Sequence, residues 1–222
     1  MIELMDVMKT YVKGRLDVDA LRGVTIQVNE GEFVSIQGPS GSGKTTLLNM
    51  IGLLDEPTSG RISLFGRVTT DLGRRAQARF RGTTVGFVFQ SFNLISSLKA
   101  WQNVALPLKY AGVSRAERKQ RALEALERIG LADRAEHHPA ELSGGEEQRV
   151  AIARSLAIDP KLVLADEPTG NLDSESGHDV MAQFAAVNAL GTTLVVVTHD
   201  PLVAPYARRH ISMLDGRVNT DG

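Results

Sequence analysis

Gly38-Pro39-Ser40-Gly41-Ser42-Gly43-Lys44-Thr45 fits the pattern G-x-x-x-x-G-K-[ST] at every position. Phe33-Val34-Ser35-Ile36 leads into it as a buried-strand candidate, and a helix is predicted to follow through Thr45–Ile51. Strand, glycine loop and helix start in that order make an anion cradle. The glycines let successive N–H groups turn inward, and the helix adds the positive end of its dipole. Lys44 supplies a point charge for β- and γ-phosphates, and Thr45 a hydroxyl for Mg²⁺.

Upstream, residues 1–37 read as β-rich. Val24-Thr25-Ile26-Gln27-Val28 alternates apolar and polar, and Asn29–Glu32 turns the chain. Downstream, Pro57-Thr58-Ser59-Gly60 predicts a turn and Arg61–Phe65 a strand. The middle third changes to helix. Ser114-Arg115-Ala116-Glu117 is a capping box, Leu123, Leu126 and Ile129 recur at three-residue spacing, and Gly130 closes the helix. Residues 92–158 therefore predict a helical insert. Short apolar runs return at Lys161–Ala165 and Thr193–Thr198, the pattern of strands covered on both faces. The fold class is α/β around a parallel sheet, in a single domain over 1–222, with 1–91 and 159–222 as core and 92–158 as the inserted subdomain.

Composition narrows the function. The 222 residues are 42% hydrophobic and 23% charged, ordinary for a globular chain. A net charge of −1 provides no basic field to recruit nucleic acid, so none is expected as a partner. Cysteine is absent, so no disulfide braces the fold. Met1–Asp6 has no basic region leading into an apolar one, so no signal peptide is expected. Apolar runs such as Leu194–Val197 fall far short of the roughly 18–20 residues needed to cross a bilayer. Any membrane task is expected to need another chain.

Two further constellations carry chemistry. Leu162-Val163-Leu164-Ala165-Asp166-Glu167-Pro168 is an apolar strand ending in two acids. Ligands of open α/β sheets sit beyond such strand ends. Beside a phosphate loop, Asp166 suits Mg²⁺ and Glu167 suits taking a proton from water. Leu142-Ser143-Gly144-Gly145-Glu146 opens a second capped helix, with Ser143 at the N-cap and Glu146 three residues on. Paired glycines are poor residues for a first helical turn unless something must approach the backbone closely. This makes a second candidate anion site about a hundred residues from the first.

Taken together these motifs resemble the nucleotide-binding domains of ABC transporters. Leu142–Glu146 is similar to that family's signature, Gln90 to its Q-loop glutamine, Asn171-Leu172-Asp173 to its D-loop, His199 in Thr198-His199-Asp200 to its switch histidine, and Tyr11 to the aromatic that stacks on adenine. The resemblance implies a P-loop NTPase of ABC ATPase fold: a RecA-like core, an N-terminal antiparallel β-subdomain and a helical subdomain. It implies an ATP-dependent homodimer, head to tail, in which each ATP is enclosed by Gly38, Ser40, Gly41, Ser42, Gly43, Lys44, Thr45, Thr46 and Tyr11 of one copy and by Ser143, Gly145 and Asp173 of the other. Glu167, His199, Gln90 and Lys44 would act in hydrolysis, and Thr45, Gln90 and Asp166 at Mg²⁺. Read alone, a histidine or glutamine after a strand is more often structural, and a tyrosine in a β-rich segment is often core. The sequence departs from many members at Glu146-Glu147-Gln148, which sets carboxylates beside a phosphate site.

Leu47–Gly52, Pro57–Gly60, Ala165–Ser174 and Thr198–Pro201 look like the macrolide-exporter, lipoprotein-release and cell-division branch. That implies a separate integral-membrane permease and a place on the cytoplasmic face of the membrane. Phe92, Leu94, Ile95, Leu98 and Trp101, beside Gln90, would receive the permease or pack within the helical insert. Small-molecule importer ATPases and soluble ABC ATPases are the alternatives. The interval between the two anion motifs lacks the sustained heptads that repair members need.

Overall fold

The computed structural model describes residues 1–14 and 16–222. Among them the strands form two sheets. β1 (Ile2–Lys13) and β2 (Leu16–Val28) pair antiparallel, with Leu4 opposite Ile26 and Tyr11 opposite Val18. β3 (Phe33–Gln37) and α1 (Lys44–Ile51) follow, then β4 (Ser59–Leu64) and β5 (Arg67–Val68), which complete an antiparallel sheet ordered β2-β1-β4-β5. The turn expected over residues 57–60 is shorter than predicted, because Ser59 already pairs with Met8. β1 bulges between Met5 and Met8. Gly60, at φ +92°, lies against that bulge, where a Cβ would strike the Asp6 carbonyl.

The second sheet collects β6 (Val85–Phe89), β7 (Leu162–Asp166), β8 (Thr193–Val197), β9 (Arg209–Leu214) and β10 (Arg217–Asp221) around β3, in the order β10-β9-β3-β8-β7-β6. All its pairings are parallel except the β9–β10 edge hairpin. β7 and β8 start and end within a residue of their expected bounds and are buried almost throughout, as strands covered on both faces must be. Their register matters most. Phe89 lies beside Asp166, Asp166 beside Val197, and Val197 beside Ile36. Three strands thus end in one row beside Ile36 of β3, and Gln90, Glu167 and Thr198 leave the sheet at the same edge.

The remaining helices are α2 (Arg74–Thr84), α3 (Ala100–Tyr110), α4 (Arg115–Arg128), α5 (Gly144–Leu156) and α6 (Ser174–Ala189). One hydrophobic cluster fills the space between the antiparallel sheet, α1 and the central strands, and another packs α6 against the opposite face. A third joins α3, α4 and α5 through Val104, Leu108, Leu126 and Val150. Leu126 and Ile129 are buried and Leu123 packs against the same cluster, as their spacing predicted. Gly130, at φ +72°, follows the helix end. The capping box at Ser114 is corrected to half its expected form. Ser114 Oγ accepts the Glu117 N–H at 3.4 Å, but the Glu117 carboxylate turns to Arg121, 2.7 Å away, one turn along an exposed face. No helix among the described residues is long and apolar enough to cross a membrane.

Candidate nucleotide site

A cleft of about 670 Å³ opens over the shared strand edge. It is lined by the 38–46 loop and helix start, by Gln90, Glu167 and His199, and by Val18, Asp19 and Ala20 from β2. The loop closes tightly on its outer side. Gly43, at φ +100°, stands against β2, and a Cβ there would lie 2.5 Å from the Ala20 carbonyl oxygen. Lys44 is nearly buried and its Nζ donates to the carbonyls of Gly38 at 2.8 Å and Pro39 at 2.9 Å. Ser42 Oγ is buried without a partner. The Lys44 cation and the glycine-rich backbone of the loop line one space, the kind of donor set an anion requires, while Ser42 lies behind the lining.

Thr45 Oγ1 lies 3.5 Å from Asp166 Oδ1. Burial, with the neighbouring Glu167 charge, holds the Asp166 carboxyl above the usual carboxylate range, while the Thr45 hydroxyl works the other way. A divalent cation between them would reverse that balance. Among the described residues no three His, Asp or Glu side chains gather as a metal cage. A hydroxyl and one carboxylate suit Mg²⁺, which keeps waters and completes its shell with substrate phosphates.

Glu167 follows Asp166 with φ +47°, a left-handed conformation costing about 1 kcal/mol. Its N–H is held by the Val197 carbonyl at 2.8 Å. The turn swings the side chain onto the end of β8. There Oε2 accepts from the Thr198 hydroxyl at 3.0 Å and the His199 N–H at 3.3 Å, and Oε1 sits 2.8 Å from His199 Nδ1. As a donor to a carboxylate oxygen, Nδ1 would carry a proton, and Nε2 has no partner among the described residues. Gln90 reaches Asn171, with Nε2 3.4 Å from Asn171 Oδ1, and Asn171 Nδ2 returns a bond to the Gln90 carbonyl at 3.0 Å. Asn171 and the Thr169–Asp200 hydrogen bond of 2.6 Å tie the segment after β7 to both neighbouring strand ends.

Tyr11 lies outside the cleft lining but borders it, as the cross-strand neighbour of Val18 and beside Thr46. Ser143, Gly145 and Asp173 are not among the lining residues. Ser143 caps α5: its Oγ accepts the Glu146 N–H at 3.2 Å and its own N–H donates to Glu146 Oε2 at 2.8 Å. Glu146 Oε1 accepts from Arg134 Nε at 3.0 Å, so the charge this carboxylate brings to the helix start is met by a guanidinium. Gly145 packs on α6, where an added Cβ would meet Ser176 Oγ at 2.7 Å. Asp173 caps α6, accepting the Ser176 N–H at 2.9 Å.

The expected partner residues divide. Ile95 is exposed, Leu94 and Trp101 pack onto the helical cluster, and Leu98 and Trp101 border a groove with Lys109, Arg115 and Arg118. Sequence reasoning missed what shapes this segment. Asn103 is fully buried, accepts the Ile95 N–H at 2.8 Å and donates to the carbonyls of Ile95, Leu98 and Lys99, while Arg154 holds the Phe92 carbonyl at 2.7 Å. A lone asparagine within an apolar helical pattern was the available signal. Val18, Asp19 and Ala20 offered none, since only the strand pairing brings them to the loop.

A family model described as ABC transporter matches residues 21–170. An uncharacterized ABC transporter ATP-binding protein of Thermotoga maritima is 51% identical over 217 residues, 98% of this chain and 93% of that protein. The macrolide export ATP-binding/permease protein MacB of Burkholderia pseudomallei is 47% identical over 221 residues, which is 100% of this chain and 34% of that longer relative. Among solved structures, the dimeric post-hydrolysis state of the ATP-binding cassette MJ0796 bound to ADP and Pi superposes with a TM-score of 0.92 at 47% identity, covering 100% of this chain and 98% of that one.

Proposed function

The chain belongs to the ABC transporter family as an ATP-binding, ATP-hydrolysing subunit, and from that premise we propose that two copies close head to tail around two ATP to drive a separate membrane permease. One observation carries this reading. The cleft assembles the phosphate loop, Gln90, Glu167 and His199, yet includes neither Ser143 nor Gly145, whose capped helix start is the chain's other anion site. A second copy supplies that helix start, and the dimeric state of MJ0796 supports the arrangement.

In this reading the core comprises 1–91 and 159–222, and 92–158 is the subdomain that presents Ser143. Lys44 exchanges its bonds to Gly38 and Pro39 for the β- and γ-phosphates. Mg²⁺, when bound with ATP, neutralises phosphate charge. Thr45, Asp166 and Gln90 are the residues placed to hold it or its waters. Glu167, steadied by Thr198 and His199, orients the attacking water and takes its proton. His199, in its imidazolium form, would donate Nδ1–H to Glu167 and Nε2–H to a γ-phosphate oxygen. Closure excludes bulk water, and Ser143 and Gly145 of the second copy complete the charge stabilisation. The permease engages the segment beside Gln90, which keeps the chain at the cytoplasmic face of the membrane. Likeness to the macrolide export protein MacB favours an exporter role, and the motif resemblance extends the reading to a lipoprotein-release or mechanotransmission role.

Light scattering of Glu167→Gln with ATP and Mg²⁺ tests the arrangement. A dimer is expected with nucleotide and a monomer without it. Monomers at saturating ATP would overturn it.

A further inference from the structure

Tyr11 is held by more than its strand. Its hydroxyl donates to Asp55 Oδ2 at 3.0 Å, and the same carboxylate receives Lys9 Nζ through Oδ1 at 2.9 Å. Lys9 Nζ also donates to the Glu56 carbonyl at 2.7 Å and stands 4.8 Å from the centroid of the Tyr11 ring. Its side chain is only 12% exposed, so this cation is fixed in place. Lys9 and Tyr11 are two residues apart on β1 and therefore share a face of the sheet. Asp55 lies just beyond α1, the helix whose first turn forms the phosphate loop, and the Thr46 side chain lies beside the Tyr11 hydroxyl.

We propose that Lys9 and Asp55 are positioning residues for recognition of the nucleotide base: together they fix the plane of Tyr11 and cover one of its faces, so that the base stacks only on the other. This rests on the reading that Tyr11 receives adenine. A cation against one face of an aromatic ring is attracted by its quadrupole and occupies that face. The hydroxyl tether removes rotation about the strand. Because Asp55 follows α1, whose start carries Lys44 and Thr45 of the phosphate loop, the base platform and the phosphate cradle share one frame.

The experiment is calorimetric binding of Mg-ATP and of magnesium tripolyphosphate to the full chain and to Tyr11→Ala, Tyr11→Phe, Asp55→Ala and Lys9→Met. The readout is the ratio of the two affinities, which a general weakening of the fold leaves unchanged. Tyr11→Ala is expected to lower the ratio about tenfold, as loss of a base–aromatic stack does. Tyr11→Phe keeps the ring but loses the tether, and with Asp55→Ala it is expected to lower the ratio roughly fivefold. Lys9→Met is expected to lower it less, in the same direction. An unchanged ratio in Tyr11→Ala sinks the stacking reading itself. A ratio that falls in Tyr11→Ala but holds in Tyr11→Phe and Asp55→Ala overturns the positioning role and leaves stacking intact. Equal loss of both ligands in Asp55→Ala also overturns it, since Asp55 would then only support the phosphate loop.

Discussion

His199 Nδ1 lies 2.8 Å from Glu167 Oε1, and the imidazole is 75% exposed while the carboxylate is 16% exposed. The pair has an inner member gripped by β8 and an outer member open to the cleft. Such a pair acts as a unit, and units lose function non-additively. Glu167→Gln and His199→Ala are each expected to cut phosphate release at least 100-fold, within the usual range for losing a positioned acid–base group. The double variant should be little worse than either single one. ATP affinity should change less than about threefold, since neither residue holds the β-phosphate. Steady-state phosphate release measures the first, calorimetry the second. Losses that multiply would show two independent roles.

Gly145 has a reason to be glycine within its own chain. Its missing Cβ is the space taken by Ser176 Oγ, 2.7 Å from where that carbon would sit. Gly145→Ala gains about 1 kcal/mol of helix propensity and loses about 1–3 kcal/mol to overpacking against α6, so a net loss of up to about 2 kcal/mol is expected. Ser176→Gly should return most of it in a double-mutant cycle by urea unfolding. The two reasons for the glycine then separate: if Gly145 also faces a partner's ATP, the stability-rescued double variant still fails to dimerise with nucleotide. Restored dimerisation would make packing the whole explanation.

The elements most legible in the sequence were those whose local chemistry and tertiary role agree. The 38–45 loop, the runs before Asp166 and Thr198, and the Ser143 cap each combine a periodicity with a punctuation residue. α2 gave no such signal. Arg74–Thr84 carries four arginines and a single large apolar residue, Phe80, and its N-cap, Gly73, contributes no side-chain bond. Its place comes from the strand it precedes. Glu117 was misjudged because a capping box and an i,i+4 ion pair compete for the same carboxylate, and on this exposed face Arg121 wins. At the site, identity was legible but adjacency was not. The row that aligns Gln90, Glu167 and Thr198 depends on the register of parallel strands far apart in sequence.

Glu146 offers a pH test. The Ser143 N–H, then the Arg134 guanidinium, hold its carboxyl below the usual range, against a smaller cost of burial. In the window between the folded and ordinary values the unfolded chain binds more protons, so stability rises with pH. The contribution is fully present above the ordinary carboxylate value and is lost as pH falls through the folded one. Glu146→Gln keeps an acceptor for the capping box but loses the charge that meets Arg134. It should melt slightly lower at pH 7, with the gap closing below pH ~4. A gap constant from pH 7 to pH 3, followed by circular dichroism, would assign the loss to shape rather than charge.

Ile95 is 45% exposed on a segment that Asn103 and Arg154 hold by its carbonyls, so its exposure is built and not a consequence of a slack loop. An exposed apolar residue on a fixed scaffold beside Gln90 suits a partner that must sense the nucleotide without touching it. Ile95→Asp should leave phosphate release by the isolated chain within about twofold of the parent, because an exposed substitution away from packed contacts changes stability by at most about 0.5 kcal/mol. It should weaken capture of the chain by permease-containing membranes at least tenfold, the effect of burying an unpaired carboxylate in an apolar interface. Asn103→Ala should weaken capture too, but with a loss of about 2–4 kcal/mol in urea unfolding, since it strips a buried residue of several hydrogen bonds. Capture lost in Asn103→Ala but retained in Ile95→Asp would move the docking surface off this segment, toward the groove lined by Leu98, Trp101 and Arg118.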